Sequence, residues 1–153
     1  MDFKIKGPLH NQSPVCIPIL RMLPDWFGIE AAILNYEQEI ENLPTFLVEA
    51  NGQVLGFLSL KQHNPFSAEI YVMAVRPEAH RGGIGRALVE AAEFYARKLG
   101  VQYLQVKTLG PSNPDASYVK TRAFYEAVGF RPLEEFKKIW DENNPCLVMV
   151  KQV

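Results

Sequence analysis

Apolar residues recur along the chain at two spacings, one typical of strands and one typical of helices. Short apolar-rich runs between turn residues predict strands over residues 45–50, 54–60, 68–75, 101–108 and 146–150. Asn51-Gly52 joins the first two runs, and this dipeptide is the strongest short signal for a hairpin. The run PVCIPIL at 14–20 predicts a first strand, which its two prolines confine to a sheet edge. A further strand with an irregular end is expected over 131–140.

Three other segments place their apolar residues at helical spacing. The first begins near Asp25, which is placed to cap it, and Gly28 is expected to bend or break its start. The other two cover 84–99 and 118–128, and each is followed by a glycine that suits a helix end. This order of elements predicts an α/β (α+β) fold, a mixed sheet with helices on its faces, in one domain over residues 1–153.

Composition narrows the classes of function. Apolar residues make up 48% of the chain, charged residues 22%, and the net charge is −1, which argues against bulk electrostatic binding to nucleic acid or to an anionic membrane. No apolar run approaches the roughly 18 residues of a transmembrane helix, and the N-terminus lacks the apolar core of a signal peptide. Cys16 and Cys146 lie far apart without histidine neighbours, so we expect reduced thiols, no metal site and a cytoplasmic, soluble protein.

The segment EIYVMAVRPEAHRGGIGRALVEAA carries the main candidate for chemistry. A strand ends within it, and Gly82, Gly83 and Gly85 lead directly into a helix. Glycines let a ligand approach the backbone closely, and the first N–H groups of a helix attract an anion. A phosphate or pyrophosphate suits such a place. Four basic or potentially basic side chains add local positive charge: Arg76, His80, Arg81 and Arg86.

The alternative reading of this segment is a glycine-rich turn that only reverses the chain. Two common nucleotide motifs are excluded, because the segment lacks the GK[ST] of a Walker loop and has Leu88 in place of the third glycine of GxGxxG. A phosphate site of another type is therefore the favoured interpretation.

Two stretches identify a family. VRPEAHRGGIGRAL resembles the acetyl-CoA pyrophosphate loop, [RQ]xxGx[GA], of the GNAT superfamily of N-acetyltransferases, although His80 stands where the family has Arg or Gln. RAFYEAVGF, residues 122–130, resembles the second family signature, [AN]xxFYEKxGF. The resemblance implies a mostly antiparallel central sheet, flanked by helices and splayed at the acetyl-CoA site. It also implies that acetyl-CoA is the cosubstrate and that a primary amine attacks it directly in a ternary complex.

The same resemblance assigns roles to residues. Tyr125 stands where many members keep the tyrosine that protonates the departing thiolate, and a phenol with a reference pKa of about 10 suits that task. Glu69 resembles the glutamate that acts as general base through water. The alternatives are a core tyrosine for Tyr125, and for Glu69 a solvent-facing strand residue with a water chain as the base. The residues expected to contact the cosubstrate are Met73, Ala74, Val75, Arg81, Gly82, Gly83, Ile84, Gly85 and Arg86.

The resemblance is weaker for the remaining contacts. Tyr118 and Thr121 stand where Asn and Ala are frequent, which leaves three loose candidates for a polar cofactor contact: Lys107, Thr108 and Asn113. On the acceptor side, aromatic and acidic residues of the early helical segment suit a cationic amine, or else form an ordinary capped helix: Asp25, Trp26, Phe27 and Glu30.

Three function classes stay open at this point. They are an active acetyltransferase, a catalytically silent GNAT-like domain that binds coenzyme A as a sensor or scaffold, and an unrelated phosphate-binding or nucleotide-binding domain. The sequence names neither the amine nor the physiological role. It also leaves the oligomeric state open, with a homodimer among the possibilities.

Overall fold

The computed structural model describes residues 2–153, which form seven strands, four α-helices and a single 3-10 turn at Pro77–Ala79. In chain order the elements are β1 (Lys4–Leu9), α1 (Ser13–Arg21), α2 (Glu30–Ile40), β2 (Thr45–Ala50), β3 (Gln53–Asn64), β4 (Ser67–Val75), α3 (Ile84–Lys98), β5 (Tyr103–Leu109), α4 (Ala116–Ala127), β6 (Arg131–Asp141) and β7 (Asn144–Gln152). No helix within these residues is long and apolar enough to cross a membrane.

The strands form one sheet in the order β1-β2-β3-β4-β5-β7-β6. The pairs β1/β2, β2/β3, β5/β7 and β6/β7 are antiparallel, so the predicted mixed, mostly antiparallel sheet is confirmed. The chain divides into two compact units. One contains the residues up to Lys61 together with Ile70–Tyr95, and the other contains Gln62–Glu69 together with Ala96–Val153. The expectation of one domain over the whole chain stays a prediction.

In the first unit, the predicted hairpin between β2 and β3 is confirmed. Asn51 has φ 53° and Gly52 has φ 75°, and a two-residue hairpin turn of the favoured type needs a positive φ at both positions. The core of this unit brings α1 and α2 together with strands β2 to β4. Its members include Cys16, Ile19 and Phe57, none of which exposes any surface.

The predicted strand over 14–20 is wrong, because this segment lies in helix α1. Its apolar residues have helical rather than alternating spacing, and Cys16, Ile19 and Leu20 form one fully buried face. Pro14 lies in the first turn, where a missing N–H removes no helical hydrogen bond. Pro18 lies further inside the helix and is exposed, and the burial of the opposite face outweighs its cost.

The predicted start of the next helix is also wrong. Helix α2 begins at Glu30, and its N-cap position, Ile29, has an extended backbone and no side-chain cap. Asp25 lies instead in a turn, in which the N–H groups of Trp26 and Phe27 donate to the carbonyl of Leu23 at 3.1 and 2.9 Å. The predicted break near Gly28 thus displaces the whole start of the helix.

Strand β1 was absent from the prediction. All six of its residues are exposed, so it lacks the apolar pattern that marks a strand in a sequence. Its position at the sheet edge comes from pairing with β2, in which Lys4 faces Glu49 and Lys6 forms an ion pair with Glu49 at 2.7 Å.

The second unit confirms the predicted elements of the C-terminal half. Strands β5 and β7 pair over seven consecutive positions, from Tyr103 opposite Gln152 to Leu109 opposite Cys146. The register of β6 shifts twice along β7, which confirms its predicted irregularity. Gly129 follows helix α4 with φ 104°, a conformation that glycine adopts without strain.

Candidate active site

The glycine loop, residues 81–85, connects the turn after β4 to helix α3 and belongs to the first unit. The first i to i−4 hydrogen bond at this helix start runs from the N–H of Ala87 to the carbonyl of Gly83, at 3.1 Å. The N–H groups of Ile84 and Gly85 therefore lie ahead of the helical ladder. The first turn of α3 contains no acidic side chain. Backbone donors and the positive end of the helix dipole together make this loop suitable for an anion.

The space beside the glycine loop fits a bound phosphate group. A Cβ atom added to Gly82 would meet only the carbonyl of Ala79, at an ordinary 3.5 Å, and one added to Gly83 would meet nothing within 4 Å. Internal packing therefore does not require the missing side chains. Gly83 has φ 80°, which favours glycine, and Arg81 has φ 66° and is exposed, as is Arg86.

Two of the four basic side chains of this segment hold the turn. The Nε2 atom of His80 lies 2.8 Å from the carbonyl oxygen of Val75, and the ring meets Trp26 edge-on with centroids 6.2 Å apart. Arg76 donates from Nε to the carbonyl of Val54 at 2.8 Å and lies 3.8 Å from Glu78. The residue at the family's Arg or Gln position thus fixes the end of β4 through its own contact with the backbone.

The last residues of β4 are the predicted contacts for the arm of the cosubstrate. Ala74 is buried, and Met73 and Val75 are half-buried. A Cβ atom on Gly56 of β3 would lie 3.0 Å from the Ala74 carbonyl and 3.2 Å from a Val75 methyl group. Glycine at this position therefore lets β3 pass close to the end of β4, while the assignment of these residues to the cosubstrate stays a prediction.

Glu69 lies at the other end of β4, in the second unit, and is only 4% exposed. Its Oε1 atom lies 2.7 Å from Nε2 of His63 and accepts a hydrogen bond from Nε2 of Gln105 at 3.2 Å. The ammonium group of Lys107 lies 3.5 Å from the same oxygen. The structure therefore places Glu69 as a buried, well-partnered carboxylate rather than as a solvent-facing residue.

Tyr125 lies in α4 of the second unit and is 7% exposed. Its ring meets Phe124 and Phe130 edge-on, with centroids 5.4 and 5.8 Å apart, and its carbonyl accepts the N–H of Phe130 at 2.9 Å. Asp115 caps the helix by accepting the N–H of Ser117 at 2.9 Å. The packing role foreseen for Tyr125 is thus present, and its catalytic role stays a prediction.

The loose candidates for a polar cofactor contact differ in what the structure does with them. Asn113 is committed to its loop, because its side chain accepts the N–H of Asp115 and donates to the carbonyl of Asn143. Lys107 faces Glu69. The hydroxyl of Thr108 is buried without a hydrogen-bond partner among the described residues.

The partners of Glu69 were only partly accessible to sequence reasoning. His63 and Gln105 were missed, and Lys107 was considered for another role. One signal was present for His63, since it stands six residues before Glu69 across a tight turn. In that turn the side chain of Asn64 accepts the N–H groups of Phe66 and Ser67 at 2.8 and 3.0 Å.

The residues expected on the acceptor side lie around the start of α2. Glu30 forms two hydrogen bonds with Arg21, at 2.7 and 2.8 Å, and this pairing lowers the pKa of Glu30. Its carboxylate is therefore engaged. Phe27 meets Tyr36, and Tyr36 meets Tyr71, with ring centroids 5.9 and 5.7 Å apart. The aromatic residues, more than the acidic ones, provide a surface for a ligand here.

Known proteins place this geometry in context. A model of the acetyltransferase (GNAT) family matches residues 19–130. A mycothiol acetyltransferase of Pseudarthrobacter chlorophenolicus is 32% identical over 109 residues, which cover 68% of this chain and 30% of that protein. The chain thus spans less than a third of that relative's length. An uncharacterized N-acetyltransferase of Chlorobaculum tepidum is 32% identical over 116 residues, covering 73% of this chain and 68% of the relative.

A solved structure has the same fold. A GNAT family acetyltransferase from Elizabethkingia anophelis, with acetyl-CoA bound, is similar with a TM-score of 0.75 and 17% sequence identity. The similarity covers 99% of this chain and 98% of that one. The sheet order and helix placement described above are therefore those of a known architecture.

Proposed function

Because the chain belongs to the acetyltransferase (GNAT) family, we propose that it transfers the acetyl group of acetyl-CoA to a primary amine, by direct attack in a ternary complex. The observation that carries this proposal is the glycine loop, with helix N–H groups ahead of the first helical hydrogen bond and open space beside Gly82 and Gly83. The two buried free thiols, Cys16 and Cys146, support a reducing, cytoplasmic setting for the reaction.

The glycine loop has the role of holding the pyrophosphate of the cosubstrate. The N–H groups of Ile84 and Gly85 supply hydrogen bonds, and Arg81 and Arg86 supply positive charge at an exposed surface. Acetyl-CoA brings an activated thioester whose acetyl group an amine can accept. His80 and Arg76 contribute indirectly, because they fix the turn that presents the loop.

Two side chains have the role of moving protons. The carboxylate of Glu69 takes a proton from the attacking amine, directly or through a water molecule, so that the nitrogen lone pair becomes available. The phenol of Tyr125 gives its proton to the sulfur that leaves. Support for these roles comes from the burial of Glu69 at 4% exposure, and from the position of Tyr125 within the second family signature.

Binding of acetyl-CoA is the first test. A ligand present at about 100 times its Kd adds roughly 2.7 kcal/mol to the free energy of unfolding. We therefore expect millimolar acetyl-CoA to raise the melting temperature clearly, and ATP and NAD at the same concentration to raise it little. An unshifted melting temperature with acetyl-CoA would contradict the role of the glycine loop.

Turnover is the second test. Release of the coenzyme A thiol is followed with a panel of amines, namely an alanyl peptide, spermidine, an aminoglycoside and small amino metabolites. We expect thiol release above the rate of hydrolysis with at least one amine class. Stabilisation by acetyl-CoA without thiol release from any amine would favour the catalytically silent, coenzyme A-binding alternative.

A further inference from the structure

The carboxylate of Glu69 is held in an asymmetric way. All three of its described partners, His63, Gln105 and Lys107, contact the Oε1 atom, and none contacts Oε2. These partners come from the strands on both sides of β4, namely β3 and β5. One oxygen is thus fixed by the protein, and Oε2 is the oxygen left to accept a proton from outside.

The three partners differ in what they can do with a proton. The amide of Gln105 only donates hydrogen bonds to an oxygen, and the ammonium group of Lys107 stays charged near neutral pH. An imidazole both accepts and releases a proton near neutral pH. His63 also makes the shortest of the three contacts, at 2.7 Å.

Exposure gives His63 a second distinction. The side chain of Glu69 is 5% exposed, whereas that of His63 is 34% exposed. The ring therefore touches the buried carboxylate and bulk water at the same time. A proton that reaches Glu69 has a direct route to solvent through this ring.

We propose that His63 is a proton relay, which passes the proton taken up by Glu69 to bulk water and so restores the carboxylate after each turnover. This inference rests on the proposed role of Glu69 as the general base. His63 is accordingly a positioning and relay residue that acts through Glu69.

The transfer balances in protons. The amine gives one proton to Oε2 of Glu69, and the carboxyl group passes one proton from Oε1 to Nε2 of His63, across the 2.7 Å contact. This step requires the neutral ring with its proton on Nδ1, so that Nε2 carries the lone pair. The imidazolium ring then releases one proton to water, and exchange with water restores the starting tautomer. One proton leaves the amine and one reaches solvent.

The charges around the pair are compatible with this direction. Lys107, from β5, is the one cation besides the ring itself among the described contacts of Glu69, and it favours a carboxylate at rest. Cys146, from β7, also feels the charges of Glu69 and Lys107, but burial raises its pKa to about 11 and keeps it neutral. Gln105 carries no charge. Neither Gln105 nor Cys146 therefore competes with His63 for the proton near neutral pH.

The test separates proton transfer from hydrogen bonding. His63→Gln keeps an amide that donates to Glu69 but cannot carry a proton. With acetyl-CoA and the panel amine of highest kcat/KM, we expect this variant to lower kcat by about tenfold, since water replaces part of a catalytic proton transfer worth more. The KM for acetyl-CoA should stay within about twofold of the wild-type value. Added imidazole should raise the kcat of His63→Ala in a saturable manner.

Controls distinguish failure of the relay from failure of the proposed base. His10→Gln makes the same chemical change at an exposed histidine of the other unit and should leave kcat unchanged. An inactive Glu69→Gln together with a fully active His63→Gln, unaffected by imidazole, would overturn the relay and leave the base in place. A fully active Glu69→Gln would overturn the base and the relay with it.

A measurement on the resting protein needs no acceptor amine. The ¹⁵N resonances of the His63 ring report the protonation and hydrogen bonding of Nε2. We expect them to shift between wild type and Glu69→Gln at constant pH, and to stay unchanged in His10→Gln. Identical His63 resonances in wild type and Glu69→Gln would show that the contact is absent in solution, and would overturn the relay.

Discussion

Tyr125 combines a structural role, visible in its contacts with Phe124 and Phe130, with a proposed chemical one. Tyr125→Phe keeps the ring and removes only the hydroxyl. If the phenol protonates the departing thiolate, kcat should fall by about 10²- to 10⁴-fold while the KM for acetyl-CoA stays nearly unchanged. Steady-state thiol release measures both constants.

A neighbouring substitution serves as the control for Tyr125→Phe. Phe124→Leu disturbs the same aromatic contacts without touching the proposed proton donor, so it should lower the melting temperature and leave kcat per folded molecule close to wild type. The proposed role of Tyr125 would be abandoned if Tyr125→Phe behaved in the same way, with reduced stability and normal turnover.

Single residues also show where sequence reasoning stops. The family signature identified Glu69 as a candidate, but its three partners were not predicted, because they depend on the register of β3 and β5 against β4. Residues at positions 63, 69 and 105 meet only after those strands pair. The resemblance did locate His80 at the unusual position in the loop, and the structure supplied the reason: the ring bonds the carbonyl of Val75.

At the scale of elements, the start of α3 allows a matched pair of substitutions. Gly83 and Gly100 have φ values of 80° and 82°, and in both cases an added Cβ meets nothing within 4 Å. Replacement by Ala should therefore cost each variant a similar amount of stability, about 1–2 kcal/mol for a left-handed conformation. Only Gly83→Ala should also raise the KM for acetyl-CoA, because only Gly83 lies in the glycine loop. Chemical unfolding and steady-state kinetics measure the two effects.

Gly82→Ala extends the same comparison, because its Cβ would meet only the Ala79 carbonyl at 3.5 Å and its φ is not in the left-handed region. This variant should keep wild-type stability and still raise the KM for acetyl-CoA. If Gly82→Ala and Gly83→Ala both keep the wild-type KM, the loop does not hold the pyrophosphate.

Elements differed in how well the sequence predicted them. The hairpin at Asn51-Gly52 and the helix ends at Gly100 and Gly129 were correct, because each depends on a local conformation that the residue itself favours. The run 14–20 was assigned to a strand because its prolines outweighed its helical spacing in the interpretation. In the fold, burial of one face against α2 decided the matter, and that contact is not local.

At the scale of the whole molecule, the two signature segments were enough to identify the family, and the family match over residues 19–130 confirms it. The element order then followed with few errors, because one architecture accommodates it. The acceptor does not follow in the same way. The acidic residue Glu30, expected to attract a cationic amine, pairs with Arg21, so the choice of amine depends on surfaces that the family resemblance does not specify.

The buried thiol of Cys16 links the core to global stability at alkaline pH. Burial, with a smaller contribution from Glu41, raises the pKa of Cys16 from 9.0 to about 12. Above pH 9 the thiol ionises in the unfolded chain and stays neutral in the folded one, so its stabilising contribution is complete below pH 9 and is lost as the pH rises toward 12. Between pH 8 and pH 10 this one group should lower the free energy of unfolding by about 1.4 kcal/mol.

Urea unfolding at the two pH values measures this loss in wild type, Cys16→Ala and Ile17→Val. The cost of a smaller side chain is the same at both pH values, so it cancels when each variant is compared with itself. We expect the loss in Cys16→Ala to be smaller than in wild type by about 1.4 kcal/mol, because no thiol remains to titrate. Ile17→Val changes a buried neighbour without a titrating group and should keep the wild-type loss. Equal losses in all three proteins would mean that Cys16 titrates alike in the folded and unfolded states, and therefore that water reaches the thiol in the folded protein.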